Sequence, residues 1–379
     1  MALRILVSVT TDLVTDQRVH KISSSLHKAG YEVHVAGRQM KASLPLTNRP
    51  YKTTRFRLWF EKGPFFYATY NIRLFFFLLF TKADILMAND LDTLLPNYLV
   101  SKIKGIPLAY DNHEYFTSVP ELIRRPFVRG IWKTIERTIF PRVKYIYTDN
   151  DAKQGLFESE YKVPVRVVKN VPVYTPVPLS IGQPPLTIPS DKKVIIYQGT
   201  GINVDRGTEE LTQAMKYLDD SYLLLYVGSG DVINVLKEIV AIDKLENRVW
   251  FTGKVPLEQL PRYTRLAHLG ISFDKPISDN YIYSLPNKIF DYVHAGVPVL
   301  CSRLPEVERM VTKYQIGGFI DSHDPEHIAS RIRKVFEEGE YKIWQQNLIK
   351  ASEAVNWQNE EKVLLGIYAE ISNTLSHHK

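Results

Sequence analysis

At 379 residues, of which 45 % are apolar and 23 % charged, the chain is long enough for about two globular domains at roughly 150 residues each and too hydrophobic to be disordered. One cysteine, Cys301, excludes an intrachain disulfide framework and suits a reducing compartment. The charge is lopsided, with 26 Lys and Arg against 15 Asp and Glu in residues 1–178 and 22 against 26 in residues 179–379. The basic half therefore suits an anionic partner, a phospholipid leaflet or a lipid-phosphate acceptor; with no RNA- or DNA-binding motif, nucleic acid is set aside.

The chain opens on RILVSV (4–9), an apolar run of strand length without the apolar core and cleavage site of a signal peptide, so a cytoplasmic location is expected. QRVHKISSSLHKAG (17–30) sets Val19, Ile22 and Leu26 at helical spacing and ends on Gly30. LFFFLLF (74–80) is far short of the about 20 residues that cross a bilayer. It reads as a buried helix packed on a sheet, with peripheral contact to the inner membrane leaflet as the alternative. YEVHVAG (31–37), ADILMAN (83–89), IPLAYDN (106–112) and KYIYTDN (144–150) are further strands, each closed by turn or polar residues.

A proline-rich stretch, VPVYTPVPLSIGQPPLTIP (171–189), reads as a stiff linker. The alternation then restarts with KVIIYQG (193–199), YLLLYVGSG (222–230), RVWFTG (248–253), LGISF (269–273) and GVPVLC (296–301), and residues 328–375 are helical in pattern. Repeated strand–helix order predicts two doubly wound, Rossmann-like α/β domains with parallel sheets. The boundaries read as 1–172 for the first, 173–190 for the linker, 191–352 for the second and 353–379 for a closing helix. Ligands of such sheets bind at the carboxyl ends of the strands.

The richest stretch is SLPNKIFDYVHAGVPVL (284–300). Ser284 reads as a helix cap, Pro286 as a first-turn residue and Gly296 as the terminator. Lys288 falls in the first turn, where the positive end of the helix repels a cation. A diphosphate on the free amides would turn that penalty into an attraction. Arg206, in NVDRGTEEL (203–211), is a second cation placed to clamp the same diphosphate, and Asp291 is one turn further along, placed for ribose hydroxyls. Gly199 and Gly228 end successive strands, where glycine lets backbone approach a ligand. A solvated Lys288–Asp291 pair and ordinary tight turns are the plain alternatives.

The order DQRVHK, ANDLDTLLP, DNHE, YQG with RG, VGSG, RVWFTGKV and SLPNKIFDYVHAGVPVL resembles glycosyltransferase family 4, retaining enzymes of the GT-B fold, from Arg4 to about Tyr368. The resemblance implies two domains facing across a cleft, with the last helix crossing back to the first. It also implies a nucleotide-sugar donor in the second domain. The backbone at Lys254 and Val255 would meet the base and Asp291 the ribose. The amides of Ser284, Leu285, Pro286 and Asn287 would meet the diphosphate, with Lys288 and Arg206. His113 matches the family's histidine near the donor sugar. Many members carry two glutamates in the last motif; here Asp291 takes the second place and Tyr283 the first, with Asp279 or Asn280 as the substitute. The glycine-rich first loop is replaced by TTDLVTDQRV, which makes Asp16 and Arg18 candidates for the acceptor side, with Asp90, Asp92 and Glu114. No metal or other cofactor is expected. The reading is a retaining, metal-independent transferase acting on a glycan or lipid-phosphate-linked acceptor in surface polysaccharide or glycolipid synthesis. A nucleotide-sugar epimerase and a non-catalytic sugar-nucleotide-binding protein are the alternatives.

Overall fold

A computed structural model describes residues 2–175, 186–199, 201–337 and 339–376. The chain divides into two compact units, Met1–Asn170 with Asn359–Lys379, and Val171–Gln358. Much of the linker reading, residues 176–185, lies outside the described residues.

Unit 1 is built on seven parallel strands, β1 (Arg4–Asp12), β2 (Glu32–Gln39), β3 (Lys52–Arg57), β4 (Ile85–Asn89), β5 (Leu108–Asp111), β6 (Tyr145–Thr148) and β7 (Arg166–Val167), in the order β3-β2-β1-β4-β5-β6-β7. Unit 2 has six parallel strands, β8 (Lys193–Gly199), β9 (Tyr222–Gly228), β10 (Val249–Phe251), β11 (Leu269–Ser272), β12 (Val299–Ser302) and β13 (Gly317–Ile320), in the order β10-β9-β8-β11-β12-β13. These are the two doubly wound sheets that the strand–helix alternation predicts. Every residue of β4, β11 and β12 is buried, as in a parallel sheet covered on both faces. The three strands that the sequence reading passes over, β3, β7 and β13, all lie at sheet edges. An edge strand has one neighbour and needs no continuous apolar run.

In each sheet the strand order reverses once, between β1 and β4 in unit 1 and between β8 and β11 in unit 2. Such a switch point opens a crevice beyond the carboxyl ends of the strands. The last helix, Trp357–Ser376, belongs to unit 1 from Asn359 onward. Its Tyr368 is fully buried edge-to-face against Tyr31, and Glu370 pairs with Arg166.

LFFFLLF only half fits a buried helix. It closes the helix Gly63–Phe80, in which Leu74 and Leu78 are fully buried while Phe76 is 51 % and Phe80 79 % exposed.

Candidate active site

The helix Asn287–Ala295 sits immediately before β12 and ends on Gly296, whose φ of 74° is the left-handed C-cap expected of glycine. Its N-cap is Pro286, not Ser284, and no side chain caps its first turn. The Ser284 hydroxyl turns back instead, donating to the Tyr281 carbonyl at 2.8 Å, so the cap expected at Ser284 is absent. Leu285 is buried and Asn287 exposed.

Lys288 is turned inward. Its Nζ donates to the Tyr197 hydroxyl at 2.7 Å and lies 3.9 Å from the centre of that ring. It also stands 4.0 Å from a carboxylate oxygen of Asp274, while Arg206 Nη1 lies 3.0 Å from the other oxygen. The two cations named from the sequence therefore converge on one buried carboxylate, only 1 % exposed. Burial drives the Lys288 ammonium down, Asp274 partly restores it and Arg206 opposes that, leaving it at about 8 against an ordinary 10.5. The Arg206 guanidinium stacks on Tyr281 at 4.0 Å, and its Nε is buried without a hydrogen-bond partner.

Asp274 was not foreseen. It follows β11 in LGISFDKP, where nothing marks it out; only the insertion of β11 between β8 and β12 brings it to residues far away in sequence. Tyr197 and Tyr281 were likewise invisible as partners.

Asp291 receives a hydrogen bond from Gln198 Nε2 at 3.1 Å, and Gln198 Oε1 accepts from Thr264 at 2.7 Å. Tyr197 and Gln198 are consecutive in β8, and the helix that carries Lys288 and Asp291 one turn apart reaches both of them. Asn280 lies in the short helix Asp279–Ile282, and Lys254 is exposed just beyond β10, with Val255 beside it half-buried. The glycines have a packing reason of their own. Gly228 has φ 133°, and a Cβ on it would stand 1.8 Å from the Gly199 carbonyl oxygen, because the chain crosses itself closely at the ends of β8 and β9.

In unit 1, His113 and Asp90 meet beyond β4 and β5. His113 Nε2 stands 3.1 Å from Asp90 Oδ2, and the amides of His113 and Glu114 donate to Asp90 Oδ1 at 3.2 and 3.1 Å. Asp90 has φ 55°, a left-handed backbone uncommon outside glycine, fixed by these bonds at the entrance to the helix Leu91–Lys104. His113 Nδ1 lies 3.7 Å from Asp111 and has no hydrogen-bond partner. Burial alone would lower this imidazole; Asp90 and Asp111 overcome that and hold it protonated to about 10. Asp92 is buried, accepts from Thr10 at 2.5 Å, and has its Oδ1 unpartnered. Burial raises its carboxyl to about 7, with Thr10 acting in the opposite direction. Glu114 is exposed.

Arg18 and Asp16 both have partners within unit 1. Arg18 is 3 % exposed and makes a two-pronged pair with Asp111 at 2.8 and 2.7 Å, plus a third bond to the Val168 carbonyl. Burial would raise Asp111, yet Arg18 and His113 hold it down to about 2. Asp16 caps the helix Gln17–Lys28 by accepting from the Val19 amide at 2.9 Å.

Residues 183–354 match the family described as glycosyl transferases group 1, and residues 16–171 match glycosyltransferase family 4. The chain belongs to the group 1 glycosyltransferases. A sucrose-phosphate synthase from Thermosynechococcus elongatus superposes on this glycosyltransferase with a TM-score of 0.79, covering 98 % of this chain and 100 % of that one at 14 % identity. Anabaena HepE in complex with UDP-glucose gives 0.69 at 15 % identity, covering 99 % and 100 %. These likenesses show the GT-B fold. Among curated relatives, chitobiosyldiphosphodolichol beta-mannosyltransferase of Candida albicans is 28 % identical over 161 residues, 38 % of this chain and 33 % of that protein. TuaC of Bacillus subtilis, named as a teichuronic acid biosynthesis glycosyltransferase, is 28 % identical over 130 residues, 34 % of this chain and 30 % of its own. The matches thus span about a third of either relative.

Proposed function

We propose that this glycosyltransferase takes its sugar from a nucleoside-diphosphate-sugar held by unit 2. It passes the sugar, with retention of anomeric configuration and without a metal, to a glycan or lipid-linked acceptor. The observation that carries the reading is the convergence of Lys288 and Arg206 on Asp274 beside an uncapped helix N-terminus. The leaving diphosphate gains negative charge as the sugar departs, so two fixed cations and the first-turn amides act more strongly on the transition state than on the donor. Asp291 is assigned to the ribose and the backbone at Lys254 and Val255 to the base. A uridine nucleotide is favoured by the complex formed by HepE.

The unit 1 cluster fits the other half of the reaction. A cationic His113 has no lone pair for a proton, so it acts as a donor toward a sugar oxygen and not as a general base. Front-face attack, in which the departing phosphate takes the acceptor proton, is the retaining route favoured here. Asp90, Asp92 and Glu114 are assigned to the acceptor. The two relatives, one named for chitobiosyldiphosphodolichol and one for teichuronic acid biosynthesis, support surface glycan or glycolipid synthesis. A lipid-linked acceptor would bring the enzyme to a membrane, and the basic first half suits an anionic leaflet.

The test is a melting-temperature screen of nucleoside diphosphates and their sugars, since a ligand of the folded state raises the transition. Proton NMR of the product formed with the stabilising donor then reads the configuration. Stabilisation by one nucleoside diphosphate, retained configuration and turnover that survives chelator are expected. No stabilisation by any of them, an inverted product, or turnover lost with chelator would each remove a part of the reading. Sugar-nucleotide rearrangement without acceptor would favour an epimerase.

A further inference from the structure

The helix Gly63–Phe80 carries two apolar faces. One, through Phe66, Tyr70, Leu74 and Leu78, is buried on the sheet of unit 1. The other is exposed: Phe65 at 68 %, Ile72 at 61 %, Phe76 at 51 % and Phe80 at 79 %. Their spacing of seven, four and four residues puts them on one side of the helix. The neighbouring helix Leu91–Lys104 repeats the pattern, with Leu99 43 % and Ile103 62 % exposed. Lys104 Nζ fastens the two together, donating to the Leu78 and Thr81 carbonyls at 2.7 and 2.6 Å. Large side chains in such rows exceed the scattered apolar residues of an ordinary surface.

We propose that unit 1 docks on an anionic bilayer surface through these two outward faces. The inference deepens the reading of a lipid-linked acceptor and is tested without it. Charge selects the occupant. The helix Gly63–Phe80 contains no carboxylate, and the only one in Leu91–Lys104 is the buried Asp92. Exposed Lys82 follows Phe80, and exposed Lys102 precedes Ile103. A second copy of the chain would set this basic face against itself, because a two-fold interface pairs identical patches. An anionic leaflet meets both the apolar rows and the lysines. No helix among the described residues is long and apolar enough to cross a membrane. The contact is therefore that of a helix lying along the surface with one face sunk among the headgroups.

The test is co-sedimentation of the full chain with vesicles of phosphatidylglycerol and phosphatidylcholine, or of phosphatidylcholine alone, at low and high salt. Binding to the anionic vesicles at low salt, falling with salt, is expected. Phe76→Asp with Phe80→Asp should weaken it about 100-fold, since each phenylalanine removed from an apolar contact is worth about a factor of ten or more. Lys82→Gln and Lys102→Gln should each weaken it about fivefold. Melting of all three variants, with and without a nucleoside diphosphate, should match the parent, because the altered side chains lie outside core and site. Absent binding, binding equal on both vesicles, or binding untouched by the phenylalanine variant would overturn the proposal. So would a dimer in sedimentation equilibrium that the phenylalanine variant dissolves. A chain that binds vesicles but no nucleoside diphosphate would leave this inference standing and remove the donor reading.

Discussion

Asp274→Asn isolates the carboxylate on which the two cations converge. It removes one negative charge and leaves Lys288 and Arg206 facing each other inside unit 2. Breaking a buried ion pair from one side costs about 3–5 kcal/mol when the remaining charge cannot escape. Arg206 cannot escape, because its guanidinium does not deprotonate. Lys288 can. Its ammonium already titrates at about 8, and Asp274 is the group holding it up, so in the variant it becomes neutral at pH 7. That limits its share of the loss to one pH unit, about 1.4 kcal/mol. With an amide still able to accept from Arg206, the whole cost at pH 7 comes to about 3 kcal/mol. For a unit of this size that is a fall in melting temperature of about 6–12 °C. The pH dependence has a definite sign. Between pH 7 and pH 6 the parent's Lys288 is protonated folded and unfolded, so its contribution is flat there, and only toward pH 8 does the folded lysine begin to lose its proton. In the variant the folded lysine is neutral while the unfolded one is protonated, so stability falls on acidification by about 1.4 kcal/mol per pH unit. Circular-dichroism melts at pH 6, 7 and 8 read both effects, and UDP, by supplying the missing negative charge, should narrow the gap. A variant that melts within about 2 °C of the parent at all three values, with or without UDP, would refute the shared-carboxylate argument.

Arg18→Met should lower stability by about 3–5 kcal/mol, because Asp111 is fully buried and loses its two-pronged partner; an unchanged melt with a raised acceptor KM would return Arg18 to the acceptor side. UDP affinity should decline as pH rises past about 8, by up to tenfold per unit, as the Lys288 ammonium is lost; titrations at pH 7, 8 and 9 check this, and a flat profile would mean the ammonium does not meet the diphosphate. Asp291→Ala should weaken UDP binding by roughly 10- to 100-fold, the worth of hydrogen bonds to a charged group; unchanged affinity in calorimetry would remove the ribose assignment.

Much of the fold can be read from the sequence because a doubly covered parallel sheet demands continuous apolar runs, and KVIIYQG, YLLLYVG and ADILMAN supply them. The edge strands β3, β7 and β13 escape that demand and hence escape notice. Lys288 and Arg206 were legible for a related reason: a cation at a helix N-terminus is unfavourable unless something anionic sits there. Asp274 carries no such contradiction in its local sequence, and its role arises only from strand order. Arg18 shows the reverse case, a partner invisible in the sequence. A charged residue beside a strand end looks available, but in the fold Asp111, at the end of β5, and the Val168 carbonyl, just after β7, both bond to it. The stretch LFFFLLF was judged by its own short length, which rules out spanning but cannot tell a helix buried on both sides from one with an outer apolar face.

The central claim is that Lys288 and Arg206 hold a nucleotide's diphosphate. It is tested most directly by calorimetric titration of UDP into the parent chain, Lys288→Met and Arg206→Met at pH 7. The account predicts saturable binding to the parent and a loss of roughly 10- to 100-fold in each variant, the worth of a charge-assisted contact. Parent and variants binding UDP with equal affinity would contradict it.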